Sequence, residues 1–530
     1  MRLHHLAAAT ALTLALAACA SSGGLHPNGA PLDPASLKAA HHLGANDIAA
    51  AWPESDWWSA LGDPQLDRLI REALADNPGL AVADARARAA QAAAGLADTA
   101  RRPSVNAGAS VSGARIPTTV MPADAGGGHF NLASYAYGSF KWGLDLWGGK
   151  RAAWEAALGA SRAAEVEARA ARIELSGNVA RAYAQLGYAF AQQDLAAGEL
   201  KRAQQSQQLT AQRVAAGIDN RIVLKQAEAE VATDEQAAAL ADRAVDAARS
   251  ALSVLLGKGP DRGDEITRPQ VLAPAELAVP ENLPLELIGH RADLVAARWR
   301  VEAAGKDIKA AKTEFLPNIS IGAMAGVLRL GGGNPFTLPA RFYQLGPSLS
   351  LPIFDGGRLR ANLSAKDAQY DLAVAQYNQT LVGAVNEVAD DVSATQSLQR
   401  QLAAQQRAQA AARQAWDLAL QRYQAGVGSY LEALSVRQQL LAADRGVAAL
   451  QAQQVDRSIQ LIQALGGGYR PQSQASRGGY RPQSQAPRGG YRPQNQAPRG
   501  GYRPQDQAPR DGYPPQAGAP APSSSTFAHR

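Results

Sequence analysis

Two rhythms of apolar and polar residues alternate along this chain. Between residues 317 and 330, the apolar positions Ile319, Ile321, Ala323, Ala325 and Val327 fall at every second residue. That period predicts a strand with one apolar face and one watery face, as a membrane strand needs. Similar segments place strands at about 103–115, 135–147 and 341–354. Their connections, 116–134 and 331–340, carry "ADAGGGH" and "LGGGNP", which are loop compositions. Four strands cannot close a barrel alone, so closure requires several chains.

The other rhythm is helical. Residues 150–216 hold no proline and would span ~100 Å as one helix, far more than a compact domain needs. A second long helix is expected over 357–425, with shorter partners at 220–256 and 429–465. Leu224, Val231, Ala238, Val245 and Leu252 recur every seven residues, as do Leu434, Leu441, Ala448, Val455 and Ile462. A sustained heptad predicts left-handed supercoiling against neighbouring helices. Measured from Gly217 and Gly426, the two heptads set the first turn one residue shorter than the second.

These elements occur twice, in one order. "LAVADARARAAQAAAGLADTARRPSVNAGA" from Leu80 parallels "LVAARWRVEAAGKDIKAAKTEFLPNISIGA" from Leu294, and "QRVAAG" ending at Gly217 parallels "QRYQAG" ending at Gly426. The chain therefore divides into a leader (1–18), an N-terminal linker (19–56), a first repeat (57–260), a linker (261–284), a second repeat (285–466) and a tail (467–530). In the tail, "GGYRPQxQAPR" repeats with tyrosines at 469, 480, 491, 502 and 513. Its Pro, Gly, Gln and Arg content cannot bury a core and predicts disorder. It is either a plain solvated extension or a cationic contact for peptidoglycan carboxylates.

Charge changes the picture once it is divided. Residues 469–530 hold nine Arg and two Asp, so the tail carries +7 of the formal +6 and the other 468 residues sum to −1. The folded part thus carries no nucleic-acid footprint. The N-terminus combines Arg2, a short apolar run and Leu16-Ala17-Ala18-Cys19, which resembles a bacterial lipobox; the alternative is an ordinary A-x-A cleavage site. The run is too short to span a membrane. Cys19 is the only cysteine, so lipidation there leaves no disulfide. Ala20 rather than Asp follows it, which by resemblance to lipoprotein sorting rules favours the outer membrane. No later run can form a transmembrane helix, so a crossing must be a β-barrel.

Catalytic chemistry finds no constellation. None of His4, His5, His26, His41, His42, His129, His290 and His529 has H-E-x-x-H spacing, and no cysteine is free to pair with them. "GLDLWGGK" fails as a phosphate loop because Leu144 stands where glycine is required and no Ser or Thr follows Lys150. Met121 and Met324 are isolated, so a soft-metal relay lacks ligands. The expectation is no catalytic residue, no metal and no cofactor.

"WWSALGDPQLDRLIREALADNPGL" (57–80), "WGLDLWGGKR" (142–151), "HRADLVAARWRVEAA" (290–304) and "LSLPIFDGGRLRA" (349–361) together resemble the outer membrane factor, or outer membrane efflux protein, family and its NodT-like lipoprotein branch. The resemblance covers about residues 16–466; Ala292 departs from it where relatives commonly carry proline. It implies a mainly α protein with a membrane β-barrel: a homotrimer closing a twelve-stranded barrel prolonged by a periplasmic α-helical barrel. Gly148, Gly149, Pro352, Gly356 and Gly357 would then be the strand-to-helix junctions. Arg213, Gly217, Arg422 and Gly426 match the tip that meets a periplasmic adaptor, although helix C-capping alone also explains the glycines. Tyr423, Leu431 and Glu432 fall where the family constricts its tunnel, and Ser435 stands where several relatives carry a second aspartate. For Glu432, a capping box with Ser429 is an equal reading. The implied partners are an adaptor and an inner-membrane pump of the resistance-nodulation-division type. The same fold serving an ABC exporter, and a non-conducting structural lipoprotein, are the alternatives.

Overall fold

The computed structural model describes residues 24–38, 52–125, 127–270, 272, 274, 283–330, 334 and 336–470. Cys19 and the repeats beyond Arg470 lie outside them. In chain order the main elements are α1 (Pro64–Asp76), α2 (Pro78–Thr99), β1 (Ser104–Arg115), β2 (Phe130–Leu144), α3 (Gly149–Ala215) and α4 (Arg221–Leu255). There follow α5 (Leu283–His290), α6 (Ala292–Thr313), β3 (Asn318–Leu330), β4 (Arg341–Ser350), α7 (Arg358–Gln424) and α8 (Tyr430–Ala464). No described helix is long and apolar enough to cross a membrane.

The four strands form one antiparallel sheet in the order β1-β2-β3-β4, with both outer edges unpaired. Ile319 lies opposite Leu144 and Leu349, and Ile321 opposite Trp142 and Pro347, so one face is apolar. Ser320 lies opposite Gly143 and Ser348, and Lys141 opposite Ser104, so the other face is polar. Three strand ends differ from the sequence expectation, two of them for a local reason. β4 stops at Ser350 rather than 354, because Pro352 has no amide for the ladder. β2 runs from Phe130 to Leu144 rather than 135–147: it pairs with β1 as far as Phe130 opposite Arg115, and it ends early because Asp145 turns away to cap the next helix.

α3 and α7 are each 67 residues long, ~100 Å. α4 folds back along α3 and α8 along α7, while α2 and α6 pack beside the upper part of α3. Midway along α3 lies the largest core, where Leu66, Leu69 and Ile70 of α1 meet Val179, Tyr183 and Leu186 of α3 and Leu252 and Leu256 at the end of α4. Asp63 fastens it: its carboxylate accepts Gln65 N at 2.8 Å, the Tyr183 hydroxyl at 2.6 Å and Gln270 N at 3.0 Å. That explains the family-like string "LGDPQL" as a helix cap that is also a buried acceptor.

Two further expectations are corrected. The tail does not lose structure at Gly467. Gly466, Gly467 and Gly468 all take positive φ, and Tyr469 is buried against Ala163, Val166, Ala292 and Ala296. A Cβ on Gly468 would meet the Glu54 carbonyl oxygen at 2.1 Å, so only glycine permits this close passage. Nor is the first helical turn shorter: residues 216–220 and 425–429 are equal in length. The buried heptad of α8 starts at Ala433 and Leu440, one residue ahead of Leu434 and Leu441. The bulkier leucines attracted the sequence phase; the alanine makes the contact.

Candidate functional site: junctions, channel wall and helical tips

At each junction a strand ends, a carboxylate turns back, and a glycine in left-handed geometry opens a 67-residue helix. In the first repeat Asp145 accepts Lys150 N at 2.9 Å and Arg151 N at 2.8 Å. Gly148 has φ 74°, and a Cβ on Gly149 would stand 1.9 Å from Thr313 Oγ1. In the second repeat Asp355 accepts Gly357 N at 3.0 Å and Leu359 N at 2.8 Å, with Gly356 and Gly357 at φ 66° and 89°. The hydrogen bond from Leu359 N is the main cause holding the Asp355 carboxyl below the usual aspartate range. Sequence reading found the glycines and Pro352 but missed both aspartates, whose signal was an Asp within three residues of a Gly-Gly pair.

Above the junctions, the polar face of the sheet is a wall of Ser, Asn and Gly. Among the described strand residues its one charge is Lys141, and its one aromatic group is Tyr135, Tyr137 and Phe342. Tyr135 stacks on Phe342 with centroids 5.5 Å apart, and its hydroxyl reaches Met324 Sδ at 3.2 Å. Tyr137 lies over Gly108, where a Cβ would approach its ring to 2.8 Å. The opposite face leaves Val105, Leu345 and Leu349 exposed, the pattern of a strand facing hydrocarbon.

The helices end in two matching turns. Ile218 N donates to Arg213 O at 2.9 Å and Val427 N to Arg422 O at 3.0 Å, each spanning a glycine with φ 73° (Gly217) or 77° (Gly426). Both glycines are thus C′ residues of a Schellman closure. The next helices are capped by Asn220, which accepts Ile222 N at 2.9 Å, and by Ser429, which accepts Glu432 N at 3.1 Å. The Glu432 carboxylate does not close the capping box. It points to Arg422, Oε1 to Nε 3.8 Å, in an exposed pair of small energetic worth.

Side chains join the two turns. Arg213 Nε donates to Asp219 at 2.7 Å, and its guanidinium lies 4.8 Å from the Tyr423 ring centre. The buried Tyr423 hydroxyl donates to Asp219 Oδ2 at 3.3 Å and contacts Thr210 Oγ1 at 3.4 Å. The Arg213 hydrogen bond holds the Asp219 carboxyl below its usual range, while burial pushes the Tyr423 phenol up. The structure thus brings Arg213 to Tyr423 and Arg422 to Glu432. Leu431 and Ser435 stand exposed one turn apart on α8.

Behind the turns lies a charge cluster that the sequence did not disclose. Glu199, 3% exposed, receives Arg202 Nε at 3.0 Å and Arg437 Nε at 3.0 Å. Arg202 also pairs with Glu230, which takes the Tyr430 hydroxyl bond, and Trp416 packs beside both arginines. Burial raises Asp234 above the ordinary aspartate value, 3.8 Å from Arg202. α3, α4, α7 and α8 all contribute, so the cluster ties the two helical hairpins together.

A sheet with one polar wall and one apolar face, continued by helices ~100 Å long that end in an ion-paired double turn, defines a membrane duct with a long tubular extension. The chain belongs to the outer membrane efflux protein family, whose model matches residues 69–258 and 283–467. It is an outer-membrane channel component of an efflux system. The chain is 38% identical over 368 residues to the fusaric acid resistance protein FusA of Burkholderia cepacia, covering 68% of this chain and 69% of that one. To the multidrug resistance outer membrane protein MdtP of Escherichia coli K12 it is 32% identical over 438 residues, 80% of this chain and 89% of that one. The crystal structure of the outer membrane protein VceC of Vibrio cholerae superposes with a TM-score of 0.74 at 34% identity, covering 79% of this chain and 100% of that one.

Proposed function

We propose that this chain works as a homotrimer, receiving small toxic compounds or drugs from an inner-membrane pump of the resistance-nodulation-division type through a periplasmic adaptor. The observation that carries the assembly is the sheet: four strands with both edges unpaired in an apolar-faced sheet cannot stand in a membrane alone. Three copies would make twelve strands. The resistance named for FusA and MdtP supports small-molecule cargo over polypeptide export. A duct moves cargo without bond chemistry, so the chain is read as no enzyme and as needing no cofactor or metal.

Arg213, Gly217, Arg422 and Gly426 form the adaptor-docking tip, and Tyr423, Leu431, Glu432 and Ser435 the tunnel gate. Anchoring by lipid at Cys19 is supported by the N-terminal strap. Leu32 N donates to Asn378 Oδ1 at 2.8 Å, Asn28 N to Asp371 Oδ1 at 2.9 Å, and Leu25 packs on the cluster of Leu359 and Leu363. The strap therefore climbs α7 toward the strands. Six residues span at most ~20 Å, enough to bring Cys19 near the membrane face of the junctions.

The gate is tested in planar bilayers. Glu432→Ala combined with Tyr423→Phe removes the Arg422 pair and the phenol contacts with Asp219 and Thr210. A lost hydrogen bond costs about 1 kcal/mol, so in a trimer the closed-to-open ratio should fall by about a hundredfold. Conductance raised from the resting level is the expected result, and unchanged conductance contradicts the gate.

A further inference from the structure

The apolar face of the sheet carries three charges among the described residues, all arginines and all at the loop end of their strands. Arg115 closes β1 opposite Phe130, Arg329 lies near the end of β3 opposite Ser134, and Arg341 opens β4 opposite Val327. Arg341 is a diagonal neighbour of Arg329 across the β3-β4 ladder, a separation of about 7–8 Å. Among the described residues none of the three forms an ion pair. Arg115 and Arg341 are exposed. Arg329 donates through Nη1 to the Asn334 carbonyl at 3.0 Å, and its Nε is shut off from solvent without a partner. Beside them Tyr343, Phe336 and Leu338 are exposed. The described residues of the two adjoining loops hold one carboxylate, Asp124.

Arginine at a bilayer midplane costs about 2–4 kcal/mol but ~0–1 near the interface. Their confinement to the loop ends of the strands obeys that rule, yet leaves guanidinium groups without a counter-charge, staggered along the register above a hydrocarbon band. Such groups match phosphate with paired N–H donors. At the outer end of an outer-membrane barrel, the phosphates within reach are those of the outer-leaflet glycolipid. We propose that Arg329 and Arg341, flanked by Arg115, form a rim site for the phosphates of lipid A, with Tyr343 and Phe336 against its sugar and upper acyl chains. The site rests on the proposed assembly and on the outward orientation of these loops.

The test is native mass spectrometry of the detergent-solubilised full-length assembly with bisphosphorylated lipid A. Phosphatidylglycerol and inorganic phosphate at equal concentration serve as the comparison anions. Bound lipid A should be retained by the unaltered protein and resist phosphate. Binding should weaken by about tenfold or more in the Arg115→Gln, Arg329→Gln, Arg341→Gln variant and fall between the two when all three become Lys, which keeps the charge but loses the paired donors. Lys141→Gln, on the opposite face, should bind as the unaltered protein does. Single-channel conductance of the Gln variant at the unaltered level verifies that it assembled. Equal lipid A binding by the Gln variant, or equal retention of phosphatidylglycerol, overturns the site while leaving the channel standing. Absence of a three-chain mass from the unaltered protein overturns the assembly on which the site depends.

Discussion

Glu199 shows what one residue can fix in this protein. Its carboxylate holds Arg202 and Arg437 in a space with almost no solvent. Glu199→Gln would leave two guanidinium groups without their shared counter-charge, and breaking a buried pair costs about 3–5 kcal/mol. The protein carrying it should unfold at clearly lower temperature, measured by heat-step electrophoresis and far-UV dichroism. Full retention of heat resistance would show the cluster to be dispensable. None of this was legible in "AAGELKRAQQ", which reads as an ordinary solvated helix face. Tyr423 entered the reading only through the family resemblance, since the matching position of the first repeat is Val214. The partner of Tyr423, Asp219, did not enter it, since only the folded turn brings a residue six positions beyond Arg213 back onto it.

At the scale of elements, the sequence carried the order and the kind of every long piece, because periods of two and seven are strong signals. It failed where one side chain decides a boundary. Pro352 and Asp145 ended strands four and three residues early, and three glycines carried ordered chain past α8 as far as Tyr469. The turns offer a clean test of local geometry. Gly217 and Gly426 both hold left-handed φ, with no neighbouring atom where a Cβ would sit. Alanine therefore strains only the backbone, costing about 1–2 kcal/mol at each turn. Gly217→Ala and Gly426→Ala should raise amide exchange in the last turns of α3 and α7 and leave the core around Tyr183 unchanged. Exchange altered equally in that core would contradict a local capping role.

The whole molecule is built from unfinished surfaces. Its sheet has two open edges, its apolar face is bare, and its helical hairpins end in turns whose outer side chains, Leu431 and Val427 among them, are exposed. Each surface has an occupant in the account given above: a neighbouring copy for the edges, lipid for the apolar face, and an adaptor for the turns. The repeated half-chain explains why every such surface occurs twice. The sequence carried this plan through its duplication, while the charges that join the hairpins emerged only from the fold.

The account stands most directly on what touches the tips in a living cell. Cysteines placed beside Gly217 and Gly426, crosslinked in cells and analysed by mass spectrometry, should capture a periplasmic adaptor together with a proton-driven pump. Capture with an ABC transporter would move the cargo to polypeptides. Recovery of this chain alone, or of peptidoglycan alone, would contradict tip docking and the tripartite assembly.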